Sequence, residues 1–335
     1  MSGENTAAET LLQVEHLRKW FLAKGAGSLF RTSYIKAVND VSFTLNKYET
    51  LGVVGESGCG KSTMGRVILR LLAPSGGKVL FEGKDLGTLS GSKFRKLRAD
   101  MQIIFQDPYA SLDPRFTVGD AIAEPLNIQR HLDMKTKLRM VADMMERVGL
   151  NPRHIGRYPH EFSGGQRQRI GIARAMILKP KLVVCDEPVS ALDVSIQGQV
   201  INLLKDLQKE LGMAYIFISH DLSVIRHISD RVLVMYLGNV VELAPKEALY
   251  ARKLHPYTQA LLSAIPIPGR RVKREKIILQ GDLPSPANPP PGCCFHTRCF
   301  MARDICKIQT PQLEEYMPAH YCACHFAEKN KEATL

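Results

Sequence analysis

Gly55-Glu56-Ser57-Gly58-Cys59-Gly60-Lys61-Ser62-Thr63 fits the spacing G-x-x-x-x-G-K-[ST]. In such a loop the glycines let the backbone curl until its N–H groups point at a β-phosphate. Lys61 then reaches the β- and γ-phosphates, Ser62 holds Mg²⁺, and the helix that starts there adds the positive end of its dipole. A second chemical pair, Asp186-Glu187, closes the apolar run Leu182-Val183-Val184-Cys185. A buried strand of this kind delivers Asp186 to the Mg²⁺ water shell, and Glu187 is placed to orient or deprotonate an attacking water. A structural acid capping the next turn is the plainer reading of Glu187. His220 ends the run Tyr215-Ile216-Phe217-Ile218-Ser219, where a histidine can reach a γ-phosphate and sense its loss. Phe162-Ser163-Gly164-Gly165-Gln166 reads as a serine-capped helix start with glycines that allow close approach to an anion.

The elements around these residues alternate. An apolar strand at 51–54 precedes the loop, and Met64, Val67, Ile68 and Leu71 predict a helix over 61–72. Further strands are expected near 101–105, at 182–185 and over Met213 to Ile218. A helix from Ile196 to Leu211 carries Val200, Leu203, Leu204, Leu207 and Leu211 on one core-facing side. This is an α/β pattern. Between 118 and 162 the texture is helical, with Leu138, Val141, Met144, Met145 and Val148 at helical spacing and Gly149 placed to end the run. From about 265 it changes to Pro and Gly, in Ile265-Pro266-Ile267-Pro268-Gly269 and Pro284-Ser285-Pro286-Ala287-Asn288-Pro289-Pro290-Pro291-Gly292, which predicts a linker to a separate module. No internal repeat or long heptad run is visible, which argues against the coiled-coil arms of DNA-handling ATPases.

The 335 residues exceed one typical domain and predict a main domain with a smaller appendage. No apolar stretch is long enough to span a membrane, and the first residues have no basic flank or apolar core of a signal peptide, so a soluble chain in the cytoplasm is expected. The 45 Lys and Arg against 33 Asp and Glu give +12, which suits nucleic acid, an anionic membrane surface or a nucleotide site without choosing among them. The densest basic run is Arg270, Arg271, Lys273, Arg274 and Lys276. It reads first as a solvated linker, and second as a contact to lipid headgroups or a membrane partner.

Six of the eight cysteines are Cys293, Cys294, Cys299, Cys306, Cys322 and Cys324. In the cytoplasm such a cluster points to metal or redox chemistry before structural disulfides. Four thiolates suit tetrahedral zinc or a 4Fe-4S cluster, and the gaps are longer than those of zinc ribbons. Free thiols are the remaining reading.

On the loop, the Asp186-Glu187 pair and the segment Phe162-Ser163-Gly164-Gly165-Gln166-Arg167-Gln168-Arg169, the chain resembles an ATP-binding subunit of an ABC transporter over roughly residues 12–265. The resemblance implies a P-loop ABC nucleotide-binding domain at 1–265, with a helical subdomain inserted at about 107–178, and a Cys-rich extension at 266–335. It implies that Ser163, Gly164, Gly165 and Gln166 bind the γ-phosphate of ATP held by a second subunit, in a head-to-tail sandwich. Gln106, in Ile103-Ile104-Phe105-Gln106-Asp107-Pro108, becomes a ligand of Mg²⁺ and water. The segment Pro108-Tyr109-Ala110-Ser111-Leu112-Asp113-Pro114 becomes the receiver of a permease helix. Phe21 aligns as the aromatic that stacks on adenine, with Trp20 second. Asp193, closing the turn Ser190-Ala191-Leu192-Asp193, joins the nucleotide set.

A narrower resemblance rests on His255-Pro256-Tyr257-Thr258, Leu283-Pro284-Ser285-Pro286, Gly292-Cys293 and Arg298-Cys299, which are similar to the C-terminal extension of dipeptide and oligopeptide importer ATPases. In that subfamily a 4Fe-4S cluster can sit on cysteines matching Cys293, Cys299, Cys306 and Cys324; Cys294 and Cys322 leave the first and last ligands ambiguous. The implied function is ATP hydrolysis that drives uptake of short peptides, at the cytoplasmic face of the inner membrane. The implied partners are a second ABC ATPase, a heterodimer being expected ahead of a homodimer, two membrane permeases and a solute-binding protein. The same engine serves nickel, glutathione or opine uptake with other permeases. A soluble ABC ATPase acting on nucleic acid is the reading from a different class, and no nucleic acid partner is expected.

Overall fold

Leu182–Asp186 and Ala214–Ile218 are buried at every position. That is what a parallel strand covered on both faces requires, and it is why both stretches read as unbroken apolar runs. The computed structural model describes residues 9–23, 34–130, 132–264 and 276–328. Its strands are β1 (Thr10–Leu22), β2 (Tyr34–Asn46), β3 (Thr50–Val54), β4 (Gly76–Phe81), β5 (Lys84–Asp85), β6 (Met101–Ile104), β7 (Leu182–Asp186), β8 (Ala214–Ile218), β9 (Arg231–Tyr236), β10 (Asn239–Pro245), β11 (Glu314–Met317) and β12 (His320–Cys322). Strands β1, β2, β4 and β5 form a four-stranded sheet in the order β2-β1-β4-β5.

The chain divides into two compact units. The first holds the residues up to Gln13, Thr44–Thr50 and Leu80–Ile218. Here β7 runs parallel to β6 and β8, with Ile104 opposite Cys185 and Asp186 opposite Ile218. The expected helical insertion is present as helices Val118–Gln129, Met134–Arg147 and Gly164–Met176. Its caps follow from sequence. Thr117 and Asp120 form a reciprocal capping box, Asp133 accepts from the Thr136 N–H at 2.9 Å, and Gly149 stands at φ +74° just past the second helix. The helix Val194–Leu211 buries Val200, Leu204 and Leu207, and ends on Gly212 in the left-handed region.

The second unit holds Val14–Phe43, Leu51–Val79 and Ser219 onward. Strand β3 runs parallel to β9, and β9 turns back into antiparallel β10 through Leu237 and Gly238, both at positive φ as a tight hairpin demands. Strand β10 pairs with β12, and β12 with β11.

Three expectations change. The helix predicted over 61–72 spans Lys61–Ile68, and Leu71 is exposed beyond it. Leu138, placed on the apolar side of its helix, is also exposed. The C-terminal extension, expected as a separate module after 265, instead adds β11 and β12 to β10 within the second unit. A buried Glu242 on β10 ties it down: its carboxylate accepts from the N–H groups of Leu254 (2.8 Å) and His255 (3.1 Å) and meets His320 Nε2 at 2.7 Å. A buried carboxylate needs such partners, and the extension supplies one of them. The basic residues Arg270, Arg271, Lys273 and Arg274 lie outside the described residues.

Candidate nucleotide half-sites and a cysteine-lined cavity

In the first unit, Asp186 is buried as the last residue of β7, and Glu187 follows at φ +47°. A non-glycine residue in the left-handed region is strained, and such strain persists where the surroundings fix it. Here they do so by the Glu187 N–H donating to the Ile218 carbonyl at 3.1 Å. Gln106 Nε2 donates to Glu187 Oε2 at 3.1 Å, and the Ser190 hydroxyl donates to the Glu187 carbonyl at 3.1 Å. Gln106 and Glu187, predicted from separate motifs, therefore meet. Ser190, known from the sequence only as the start of a turn, is a third member of the cluster. Asp193 is exposed at the head of the helix Val194–Leu211.

Ser163 caps the helix Gly164–Met176. Its hydroxyl accepts from the Gln166 N–H at 3.3 Å, and Gln166 Oε1 accepts from the Ser163 N–H at 3.0 Å. Gln166 thus spends its side chain on the cap, and the exposed Ser163 with Gly164 and Gly165 presents the helix end. Arg167, buried one residue on, donates to the Pro159 carbonyl at 2.7 Å and lies 3.8 Å from the Tyr109 ring centre. Tyr109, 64% exposed, begins the lining of a groove of about 640 Å³ that continues through Leu112, Asp113, Arg115, Phe116 and Arg174.

In the second unit, the loop from Gly55 to Thr63 packs against Ala37 and Met235 so closely that two glycines are obligatory. A Cβ on Gly60, at φ +104°, would stand 1.9 Å from the Ala37 carbonyl oxygen, and one on Gly55 would stand 2.3 Å from that of Met235. Ser57 and Gly58 are exposed at the loop tip. Cys59 is buried, and burial raises its thiol. Lys61 is buried and donates to the carbonyls of Gly55 (2.8 Å) and Glu56 (3.0 Å), so the ammonium lies within the curl of the loop. Ser62 and Thr63 open the helix Lys61–Ile68. His220 is exposed just past β8. On β1 the Phe21 ring is 36% exposed with the Lys19 ammonium 4.8 Å from its centre, whereas Trp20 is faced by Lys36 and Tyr34.

Four of the six C-terminal cysteines, Cys293, Cys299, Cys306 and Cys324, line one small cavity with Phe295 and Phe326. Burial pushes the Cys299 thiol up to about 11 and that of Cys324 to about 12, and the neighbouring thiols add to both shifts. The other two face elsewhere: Cys294 lies 3.9 Å from Asn239 Nδ2, and Cys322 is fully buried on β12 opposite Glu242. Among the described residues no three His, Cys, Asp or Glu side chains gather closely enough to hold a single metal ion. No helix of the described residues is long and apolar enough to cross a membrane.

The ABC transporter family profile matches residues 38–190, and a profile for the oligopeptide/dipeptide transporter C-terminal region matches 241–306. The chain is 56% identical to the oligopeptide transport ATP-binding protein AppF of Bacillus subtilis, over 95% of this chain and 97% of that one. It is 56% identical to OppF of Haemophilus influenzae, an oligopeptide transport ATP-binding protein, over 94% and 97%. Among solved structures it is similar to the dimeric cassette MJ0796 bound to ADP and Pi, with a TM-score of 0.63, 26% identity, and 70% of this chain and 99% of that one covered. A similar likeness holds to cbiO1 of Clostridium perfringens, part of the cbiONQ ABC transporter complex, at TM-score 0.62 and 28% identity, over 73% and 92%.

Proposed function

This chain belongs to the ABC transporter ATP-binding family, and we infer that it is the ATP-hydrolysing subunit of a membrane importer of oligopeptides. Lys61 and the N–H groups of its loop hold the β- and γ-phosphates. The Glu187 carboxylate takes a proton from water as the water oxygen attacks the γ-phosphorus. The bond from that phosphorus to the β–γ bridging oxygen breaks, and its electron pair leaves with ADP. Gln106 orients Glu187, and His220 contacts the γ-phosphate. Mg²⁺, when bound, neutralises charge on the β- and γ-oxygens. Ser62, Gln106 and Asp186 carry the hard oxygen donors that would hold it, and Gln106 Nε2, turned to Glu187, would leave the amide oxygen for that role. Phe21 stacks on adenine. Ser163, Gly164 and Gly165 bind the γ-phosphate of ATP held by a partner ATPase, in a heterodimer, with the Gln166 side chain serving their cap and Asp193 near the nucleotide.

The observation that carries the catalytic part is the hydrogen bond from Gln106 to a Glu187 fixed on strained backbone directly after buried Asp186. The oligopeptide cargo is supported by relatives matched over nearly the whole chain and by the match at residues 241–306. The groove beginning at Tyr109 takes a cytoplasmic helix of one of two permeases, which places the chain at the membrane as a peripheral subunit fed by a solute-binding protein. Cys293, Cys299, Cys306 and Cys324 would hold a 4Fe-4S cluster. Supporting this, the cavity wall offers four thiols, with His255, His296 and His325 beside them and no carboxylate, and four thiols suit iron–sulfur ligation. Capture of the tagged chain from detergent-solubilised membranes under anaerobic conditions tests the assignment. Two polytopic permeases and a second ATPase are expected, whereas soluble partners alone, or nucleic acid, would overturn it.

A further inference from the structure

Glu56, the second residue of the phosphate-binding loop, is gripped by residues far from it in sequence. Its backbone N–H donates to the Tyr257 hydroxyl at 2.8 Å. Its carboxylate receives a two-pronged pair from Arg298, Nη1 to Oε2 at 2.6 Å and Nη2 to Oε1 at 3.0 Å. The Arg298 side chain is 9% exposed and that of Glu56 28%. A two-pronged guanidinium–carboxylate pair at such low exposure fixes orientation as well as charge.

Arg298 directly precedes Cys299, on the wall of the thiol cavity. Its N–H donates to the Phe295 carbonyl at 3.0 Å, and the buried Phe295 ring lies 5.1 Å from Tyr236 and 5.3 Å from Tyr257, centre to centre. The Tyr236 hydroxyl is close enough for the guanidinium to bear on it, although neither that hydroxyl nor Arg298 Nε makes a hydrogen bond of proper geometry. At the other end of the segment, the Cys293 N–H donates to the Cys306 carbonyl at 2.8 Å. One short stretch, 293–299, thus supplies two thiols of the cavity wall, the ring packed on the Tyr257 that meets the loop, and the cation on the loop's carboxylate. A carboxylate left without its cation in a phosphate-binding loop repels the nucleotide, and repulsion at low exposure is weakly screened.

We propose that Arg298 is a positioning residue for the phosphate-binding loop, and that the fold of segment 293–299 around the thiol cavity sets nucleotide affinity through it. The proposal rests on the reading that this loop holds ATP phosphates. Loss of the cavity's order releases Arg298, exposes Glu56 to the phosphates and frees the loop backbone.

Titration of the full-length protein with a fluorescent ATP analogue reads this directly. Arg298→Ala is expected to weaken binding at least about tenfold, and Arg298→Lys, a point charge without the fork, by an intermediate factor. Removing the repelling charge as well, in Glu56→Gln/Arg298→Ala, recovers most of the lost affinity. Cys299→Ser weakens binding in the same direction, and combining it with Arg298→Ala adds little, as expected for groups acting through one contact. In steady-state assays Arg298→Ala raises KM while kcat stays within about twofold. Should Arg298→Ala fail to unfold cooperatively, Arg298→Lys and the double variant carry the test. Arg298→Ala binding like wild type, or a double variant as weak as Arg298→Ala, would overturn the coupling. A wild-type protein that binds no nucleotide would overturn the nucleotide reading and the coupling with it.

Discussion

Gln106 Nε2 stands 3.1 Å from Glu187 Oε2, joining the chain just beyond β6 to the residue that follows β7. The bond aims one carboxylate oxygen and ties its position to the segment carrying Tyr109. Gln106→Ala therefore loosens Glu187 without touching the phosphate loop. Turnover is expected to fall about tenfold or more while the KM for ATP changes less than threefold, measured by phosphate release.

Gly60→Ala puts a Cβ 1.9 Å from a backbone oxygen at a φ that L-residues avoid. The backbone must shift, at a cost of about 1–3 kcal/mol. Urea denaturation is expected to show this loss, and nucleotide titration a larger one, because the loop that moves is the one proposed to hold the phosphates.

Ser163 has two jobs that substitution can separate. Ser163→Ala removes the cap, and stability is expected to drop by about 1 kcal/mol together with ATPase activity. Ser163→Asp keeps a good cap but brings a negative charge toward the γ-phosphate proposed to be held by a partner ATPase. Its melting temperature is expected to stay near wild type while activity of the assembled transporter is lost. Equal losses in both properties would place Ser163 in the fold alone.

On the wall of the groove that begins at Tyr109, hydrogen bonds from the Arg115 side chain and backbone hold the half-buried Asp113 carboxyl at about 2. The shift is downward, so whatever stability the pair gives is present above the ordinary carboxylate range and lost as pH falls toward 2. Solvent around Arg115, whose side chain is 83% exposed, keeps that contribution small. Carboxyl NMR titration is expected to show Asp113 ionised at pH 3, and protonating near its ordinary value in Arg115→Ala.

The local geometry of the phosphate-type loop and of the Ser163 cap was readable because short spacings set it. Lys61 lies within six residues of the carbonyls it meets, and Ser163 within three of the Gln166 it caps with. The helix Val194–Leu211 was readable from its apolar period. Strands β11 and β12 were not, because four and three residues are too few to show an alternation. The helix after the loop was overextended because Leu71 matches the period but lies past the last helical turn. Spacing also left Cys293 and Cys294, and Cys322 and Cys324, as interchangeable pairs; only the fold turns one of each pair toward the cavity. Arg298 and Glu56, 242 positions apart, carry no local signal of each other.

The role of Glu187 is tested most directly by nucleotide binding and phosphate release in Glu187→Gln, with the transporter reconstituted from its captured partners. The account predicts that the variant binds ATP as tightly as wild type, accumulates as an ATP-held pair of ATPase subunits and releases phosphate at least about a hundredfold more slowly. Phosphate release near the wild-type rate would contradict it and move the base to another residue.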